Sequence, residues 1–263
     1  MKIKEITDIL EAFAPLALQE SYDNSGLIVG HPADEVTGVL LAVDVDERVM
    51  DEAEAKGCNM IITHHPIVFR GMKRFNGADL TQRCVERAIR RGVALYACHT
   101  NLDAAPGGMS WRLAEMLGVG NLEVLEPKTE TESGVAGFGV VGELQEEQPT
   151  IEFMQMMRKL LNVKAVRYSA IATENVLRVA VCTGSGVDLI DAAVRSRADI
   201  YITADMKYHD FAIPDGRITV ADIGHFESEY CAIQLIFDIL SKKLITFAVR
   251  KSECSCNPVN YLV

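Results

Sequence analysis

Residues 39–66 read VLLAVDVDERVMDEAEAKGCNMIITHHP, and residues 177–206 read LRVAVCTGSGVDLIDAAVRSRADIYITADM. Each opens on a short β-branched run, turns into a helical pattern, and ends in a second apolar run closing on Ile-Thr. That alternation predicts βαβ crossovers and a mainly parallel sheet. A second pair of stretches extends the likeness: LYACHTNLDAAPGGMSWRLAEMLG from Leu95 and TVADIGHFESEYCAIQLIFDILSK from Thr219. Both pass from a short strand through His-x-x-x-carboxylate into an amphipathic helix, so His99 matches His225 and Asp103 matches Glu229. Self-similarity over so long a period predicts an α/β protein of two related halves with mixed or mainly parallel sheets. The halves are expected at 1–125 and 126–263, with room for edge elements to be exchanged between them.

Working outward, strands are expected at Val39–Val43, Asn59–Thr63 and Val93–Cys98, and helices at Glu47–Lys56, Leu80–Arg91 and Pro106–Leu117. The middle changes character. Glu126–Ser133 is polar and reads as a connection, Gly134–Leu144 as a glycine-bearing strand, and Glu143–Gln148 as a charged turn. Thr150–Leu161 reads as a helix with Ile151, Met154, Met157 and Leu161 on one face.

With 263 residues, 49% of them hydrophobic, the chain can bury a sizeable core. No apolar run approaches the roughly 20 residues that span a bilayer, and MKIKEITDILEAFAP at the start carries too many charges for a signal-peptide core. A soluble, cytoplasmic chain without membrane partners is therefore expected. Seven scattered cysteines, an odd number set mostly in apolar runs, read as reduced thiols. Cys254-x-Cys256 has no second Cys/His pair near it in sequence. A net charge of −11 repels phosphate backbones and excludes nucleic acid as a bulk partner, while suiting divalent cations.

Ligand sites in parallel sheets gather beyond the carboxyl ends of the strands. The run Met60–Thr63 delivers His64 and His65, Leu95–Cys98 delivers His99 and Asp103, and Thr219–Asp222 delivers His225 and Glu229. Four residues apart on a helix, His225 and Glu229 share one face. Imidazole plus carboxylate is the donor set of zinc, manganese, iron or cobalt, whereas calcium takes oxygen alone. Two carboxylates with three or more histidines exceed the needs of one catalytic zinc, and a carboxylate bridging two ions would use them all. Each element has a bland reading as well: His-His-Pro suits a polar loop, and His-x-x-x-carboxylate recurs by accident. His31 after Gly30 reads as a surface residue. Gly184-x-Gly186 is too short to be a dinucleotide fingerprint.

Several ordered motifs resemble one family: SYDNSGLIVG at Ser21, ITHHPIVFRGMKRF at Ile62, HTNLDAAPGG at His99, TADMKYHD at Thr203, GHFESE at Gly224 and the tail CNPVNYLV. They are similar to the GTP cyclohydrolase 1 type 2 homologues, dinuclear-metal proteins related to the yeast NGG-one-interacting factor, in their short form without an inserted domain. The resemblance implies a pair of divalent ions between the halves, held by His64, His65, Asp103, His225 and Glu229, with Glu229 bridging. It implies hydrolysis of a small molecule, a nucleotide or purine ring, by a metal-activated water, with His99 or His209 moving protons. It also implies a ring-shaped homohexamer. The alternative it leaves open is a non-catalytic metal-binding regulatory protein. The family often has Trp where Tyr22 stands. Asp23 and Asn24 read either as ordinary turn residues or as a loop lining the metal pocket, and Lys73 and Arg74 either as solvated charges or as partners of a substrate phosphate. Tyr208, beside His209, could close the pocket.

Overall fold

The computed structural model describes residues 1–262; Val263, the last residue of the tail motif, lies outside the described residues. Helix α1 (Ile3–Phe13) buries Ile3, Ile6 and Leu10 at helical spacing and leads to strand β1 (Gly26–Val29). Strand β2 (Val39–Ala42), helix α2 (Glu47–Ala55) and strand β3 (Met60–Thr63) follow. Helix α3 (Leu80–Arg91), strand β4 (Ala94–Ala97) and the one-turn helix α4 (Thr100–Ala104) come next. The ends of the long helices are set locally. The Asp46 carboxylate accepts from the Val49 amide at 2.8 Å and Asp79 from the Gln82 amide at 2.8 Å, while Gly92 closes α3 at φ 65°. Such caps satisfy backbone donors and acceptors that the helix leaves orphaned.

Helix α5 (Met109–Met116) starts three residues later than expected, because Gly107 at φ 73° and Gly108 interrupt the chain after α4. Then come β5 (Gly120–Thr131), β6 (Gly134–Pro149), α6 (Thr150–Leu160), β7 (Arg167–Tyr168), β8 (Asn175–Ser185) and α7 (Ile190–Arg195). The chain continues with β9 (Ile200–Ala204), β10 (Thr219–Asp222), α8 (His225–Glu229), α9 (Cys231–Ser241) and β11 (Val249–Lys251). Two compact units result among the described residues: Met1–Leu102 with Ala232–Cys256, and Asp103–Cys231 with 257–262.

The first unit holds a five-stranded sheet ordered β1-β4-β3-β2-β11. Strands β2, β3 and β4 are parallel, with Leu41 opposite Ile62 and Ile62 opposite Tyr96, and β1 closes one edge antiparallel. Every residue of β2, β3 and β4 is buried, as expected of parallel strands covered on both faces. The second unit holds a six-stranded sheet ordered β5-β6-β8-β9-β10-β7. Here β8, β9 and β10 are parallel and in sequence order, and the outer strands run antiparallel. The two parallel triples are the repeat that residues 39–66 and 177–206 announce.

Two readings from the sequence are corrected. Glu126–Ser133 is not a connection: through Thr131 it belongs to β5, paired with β6 from Gly120↔Glu143 to Thr131↔Gly134. Glu143–Gln148 is not a turn but the continuation of β6, with its register broken by an irregularity between those residues. Solvent exposure explains both errors: β5 is an edge strand, and Glu143, Gln145, Glu146 and Glu147 of β6 are exposed, so polar side chains cost little and hide the period-2 signal. Glu143 lies opposite Arg178 and pairs with it at 3.1 Å. Among the described residues no helix is long and apolar enough to cross a membrane.

Candidate metal centre

Where β3 ends, the amides of His64 and His65 both donate to the Val43 carbonyl, at 3.2 and 3.1 Å, which brings two imidazoles out beside each other. His99 leaves the neighbouring strand β4. The three rings stand close: centroids are 4.9 Å apart for His64 and His65, and 5.3 Å from each of these to His99. One ring nitrogen from each lies within 4.8 Å of the others, a spacing a single cation could span. His64 is fully buried.

Each ring is oriented from behind. His64 Nδ1 donates to the Cys98 carbonyl at 2.7 Å, His65 Nδ1 meets Asp44 at 2.8 Å, and His99 Nδ1 meets Asp23 at 2.7 Å. A hydrogen bond at Nδ1 selects the tautomer that presents Nε2 forward, which is how metal-binding histidines are held. Asp23 is wholly buried at its side chain and also accepts from the Asn24 amide, the Thr100 amide and hydroxyl, and the Ser25 hydroxyl. Burial works against its ionised form, but the hydrogen bonds from His99, Thr100 and Asn24 outweigh it and hold this carboxyl far below the usual range. Asp23 is thus both a turn residue and the support of His99. Asn24 ties the same turn to the next loop by donating to the Val68 carbonyl at 2.6 Å.

The second unit carries its own set. Short helix α8 places His225 and Glu229 one turn apart, with Nε2 and Oε2 separated by 2.9 Å. His225 Nδ1 is held by Asp205 at 2.7 Å, and Asp205 stands just past β9 in the left-handed region at φ 58°. Glu229 is 3% exposed. Burial alone would lower the basicity of His225, yet Asp205 and Glu229 on either side push it up to about 10. The field at this imidazole therefore favours positive charge, as a cation site requires. Asp103 lies in the same unit. With Glu229 it bears on the buried thiols of Cys182 and Cys231, which burial first, and then these two carboxylates, push up to about 12.

Gly184 at the end of β8 is the residue that reading the sequence undervalues. Its φ is +63°, and a Cβ there would stand 2.3 Å from Glu229 Oε1 and 3.5 Å from His225 Cε1. The backbone thus presses directly against the carboxylate, and the Gly184 amide donates to Ser228 Oγ at 2.9 Å. Gly184→Ala is expected to cost about 2–4 kcal/mol through left-handed strain and overpacking. A thermal melt that stays at the wild-type midpoint would show the contact to be soft.

Of the expected residues, His64, His65 and His99 come together in one unit, and His225 and Glu229 in the other, with Asp103 beside the thiols that Glu229 faces. His209 sits on the exposed turn Tyr208–Ala212 against the ring of Tyr208, at 5.1 Å, and no hydrogen bond or ring contact joins it to His225 or Glu229. Asp23, Asp44 and Asp205, which orient the imidazoles, were legible only as carboxylates just beyond strands or in a turn. The donors fit a transition-metal cation: imidazole nitrogens oriented through Nδ1, a carboxylate at hydrogen-bonding distance from one of them, and burial of His64 and Glu229.

Comparison with known proteins finds relatives that span the chain. The family model Duf34/NIF3 (NGG1p interacting factor 3) matches residues 1–258. A Clostridium perfringens protein called GTP cyclohydrolase 1 type 2 homolog is 34% identical over 95% of this chain and 97% of its own length. One of the same name from Lactococcus lactis is 33% identical over 98% of each. Among solved structures, Staphylococcus aureus SA1388 superposes with a TM-score of 0.92 at 27% identity, covering 100% of this chain and 99% of its own.

Proposed function

The chain belongs to the Duf34/NIF3 family, and from that membership and the two oriented donor sets we propose a two-metal, hydrolase-like centre built from His64, His65, Asp103, His225 and Glu229. The observation that carries it is the shared treatment of four histidines, each with Nδ1 engaged by a carbonyl or carboxylate, which leaves Nε2 as the donor nitrogen. Surface histidines have no need of such support. Connectivity adds to it, because α4 carries the chain from one unit to the other within four residues of His99, ending that passage on Asp103. Glu229, nearly buried and one turn from His225, is the bridging carboxylate in this reading.

His64, His65, Asp103, His225 and Glu229 would hold the ions, which when bound would supply Lewis-acid activation of water for hydrolysis. The chain's own residues do the rest. Asp23 fixes the His99 ring so that Nε2 takes or gives the proton, and it stabilises the imidazolium that forms, the division of labour seen in other His–Asp pairs. Asp44 and Asp205 keep His65 and His225 in the coordinating tautomer. A ring of six copies, implied by the resemblance, belongs to the same proposal.

The test is turnover of nucleotides and simple phosphodiesters by protein purified without added metal, together with its elemental content. About two ions per chain and metal-dependent turnover are expected. Asp23→Asn should keep the metal and lose about 10²–10⁴ in kcat, since the wrong His99 tautomer would be held. Full metal content with no turnover on any of these would leave the non-catalytic, metal-holding reading in its place.

A further inference from the structure

Beside the three histidines of the first unit lies a surface that the metal reading does not use. Tyr22 is 63% exposed and Phe69 is 43% exposed, although large aromatic rings carry the strongest drive to be buried. They are not loose. Their centroids stand 6.3 Å apart, Phe69 packs edge-on against His99 at 6.0 Å, and the Asn24–Val68 hydrogen bond clamps the two loops together. The result is a fixed aromatic face adjoining the candidate reacting group.

The loop that continues from Phe69 reads Arg70-Gly71-Met72-Lys73-Arg74, and its three cations are exposed. They make no ion pair among the described residues. The helix that follows differs. On α3, Arg83 pairs with Glu47, Arg87 with Asp51 and Glu54, Arg90 with Glu86, and Arg91 with Glu54. A protein of net charge −11 has carboxylates to spare, yet all three cations of this short loop go without an ion pair.

We propose that Tyr22 and Phe69 form a stacking face and Arg70, Lys73 and Arg74 an anion-holding loop, together a subsite for a flat ring bearing a phosphate, that is, mononucleotide chemistry. Stacking on an aromatic face tolerates any planar base, and cations supply the partner for the phosphate oxygens. A long polyanion fits less well, because the rest of the acidic surface repels it. The subsite deepens the hydrolytic reading above and rests on it for the reaction, but not for binding.

Titration calorimetry of the full chain tests it, with the protein as purified and again after chelation, against GMP, guanosine and ribose 5-phosphate. GMP is expected to bind at least tenfold more tightly than either fragment, and to do so after chelation. Phe69→Leu and Tyr22→Leu should each weaken GMP about five- to tenfold, whereas Phe69→Trp should hold it, because the π-face is kept. The triple change Arg70→Ala, Lys73→Ala, Arg74→Ala should reduce GMP to the affinity of guanosine and flatten the salt dependence. GMP binding that vanishes on chelation and ignores Phe69→Leu would place the phosphate on the metals and overturn the subsite while sparing the metal centre. Tighter binding of a single-stranded oligonucleotide than of GMP would also overturn it, in favour of a strand-binding surface. Protein that holds no metal as purified and takes none up on addition, yet binds GMP, would sink the hydrolytic reading alone.

Discussion

Glu229→Ala is expected to take the chain from about two bound divalent ions to fewer than one, measured by elemental analysis after exhaustive dialysis. Supporting residues around metal sites change affinity 10–100-fold when removed, so a carboxylate proposed to touch both ions should cost more. The fold should survive the change. Glu229 sits in a five-residue helix whose Ser228 hydroxyl still receives the Gly184 amide, and Asp205 still holds His225. Circular dichroism therefore should stay at wild type while metal is lost. Glu229→Gln keeps the shape and one oxygen donor but removes the charge, and should fall between the two. Two ions retained by Glu229→Ala would remove the bridging role, and with it the argument for a pair.

How much of this was legible beforehand depends on what each feature asks of the sequence. Parallel strands covered on both faces must be apolar throughout, so β2, β3, β8 and β9 announce themselves and their order follows from the βαβ pattern. The one-turn spacing of His225 and Glu229 needs only helical periodicity, and α8 supplies it. Edge strands are under no such pressure. That is why Glu126–Ser133 reads as a connection although most of it lies in edge strand β5, and the exposed side chains of Glu143–Gln148 make that part of β6 read as a charged turn.

The supporting groups were hidden for a different reason. Asp23 stands 76 positions from His99, and Asp44 stands 21 from His65. Nothing local marks a carboxylate as the partner of a distant imidazole. Gly184 is harder still, since its role is the absence of an atom where Glu229 presses in. A glycine two residues before another glycine looks like a loop, and only the packed structure shows why no side chain fits.

A stability effect as large as that at Gly184 is expected far from the histidines, at Glu52 on α2. This carboxylate is 8% exposed and accepts from Ser252 Oγ at 2.5 Å, the Glu253 amide at 2.9 Å, the Cys254 amide at 3.2 Å and Lys56 Nζ at 2.6 Å. It is thus the anchor of the segment that follows β11, some 200 residues away. Burial works against the charge, but the Glu253 amide, Lys56, Ser252 and the Cys254 amide outweigh it and bring the carboxyl down to about 2. A folded-state value below the unfolded one means that the ionised group stabilises the fold above about pH 4.5, and that this contribution drains away as pH falls from there to about 2. The gap corresponds to about 3 kcal/mol at neutral pH. Glu52→Gln, which keeps the shape but sets an amide against Lys56, should forfeit most of it and lower the melting temperature of the first unit by roughly 5–10 °C. The same variant should also flatten the acid limb, so that wild type and variant converge as pH drops from 4.5 to 2. A constant difference across that range would mean that Glu52 acts by shape and packing, with its charge contributing nothing.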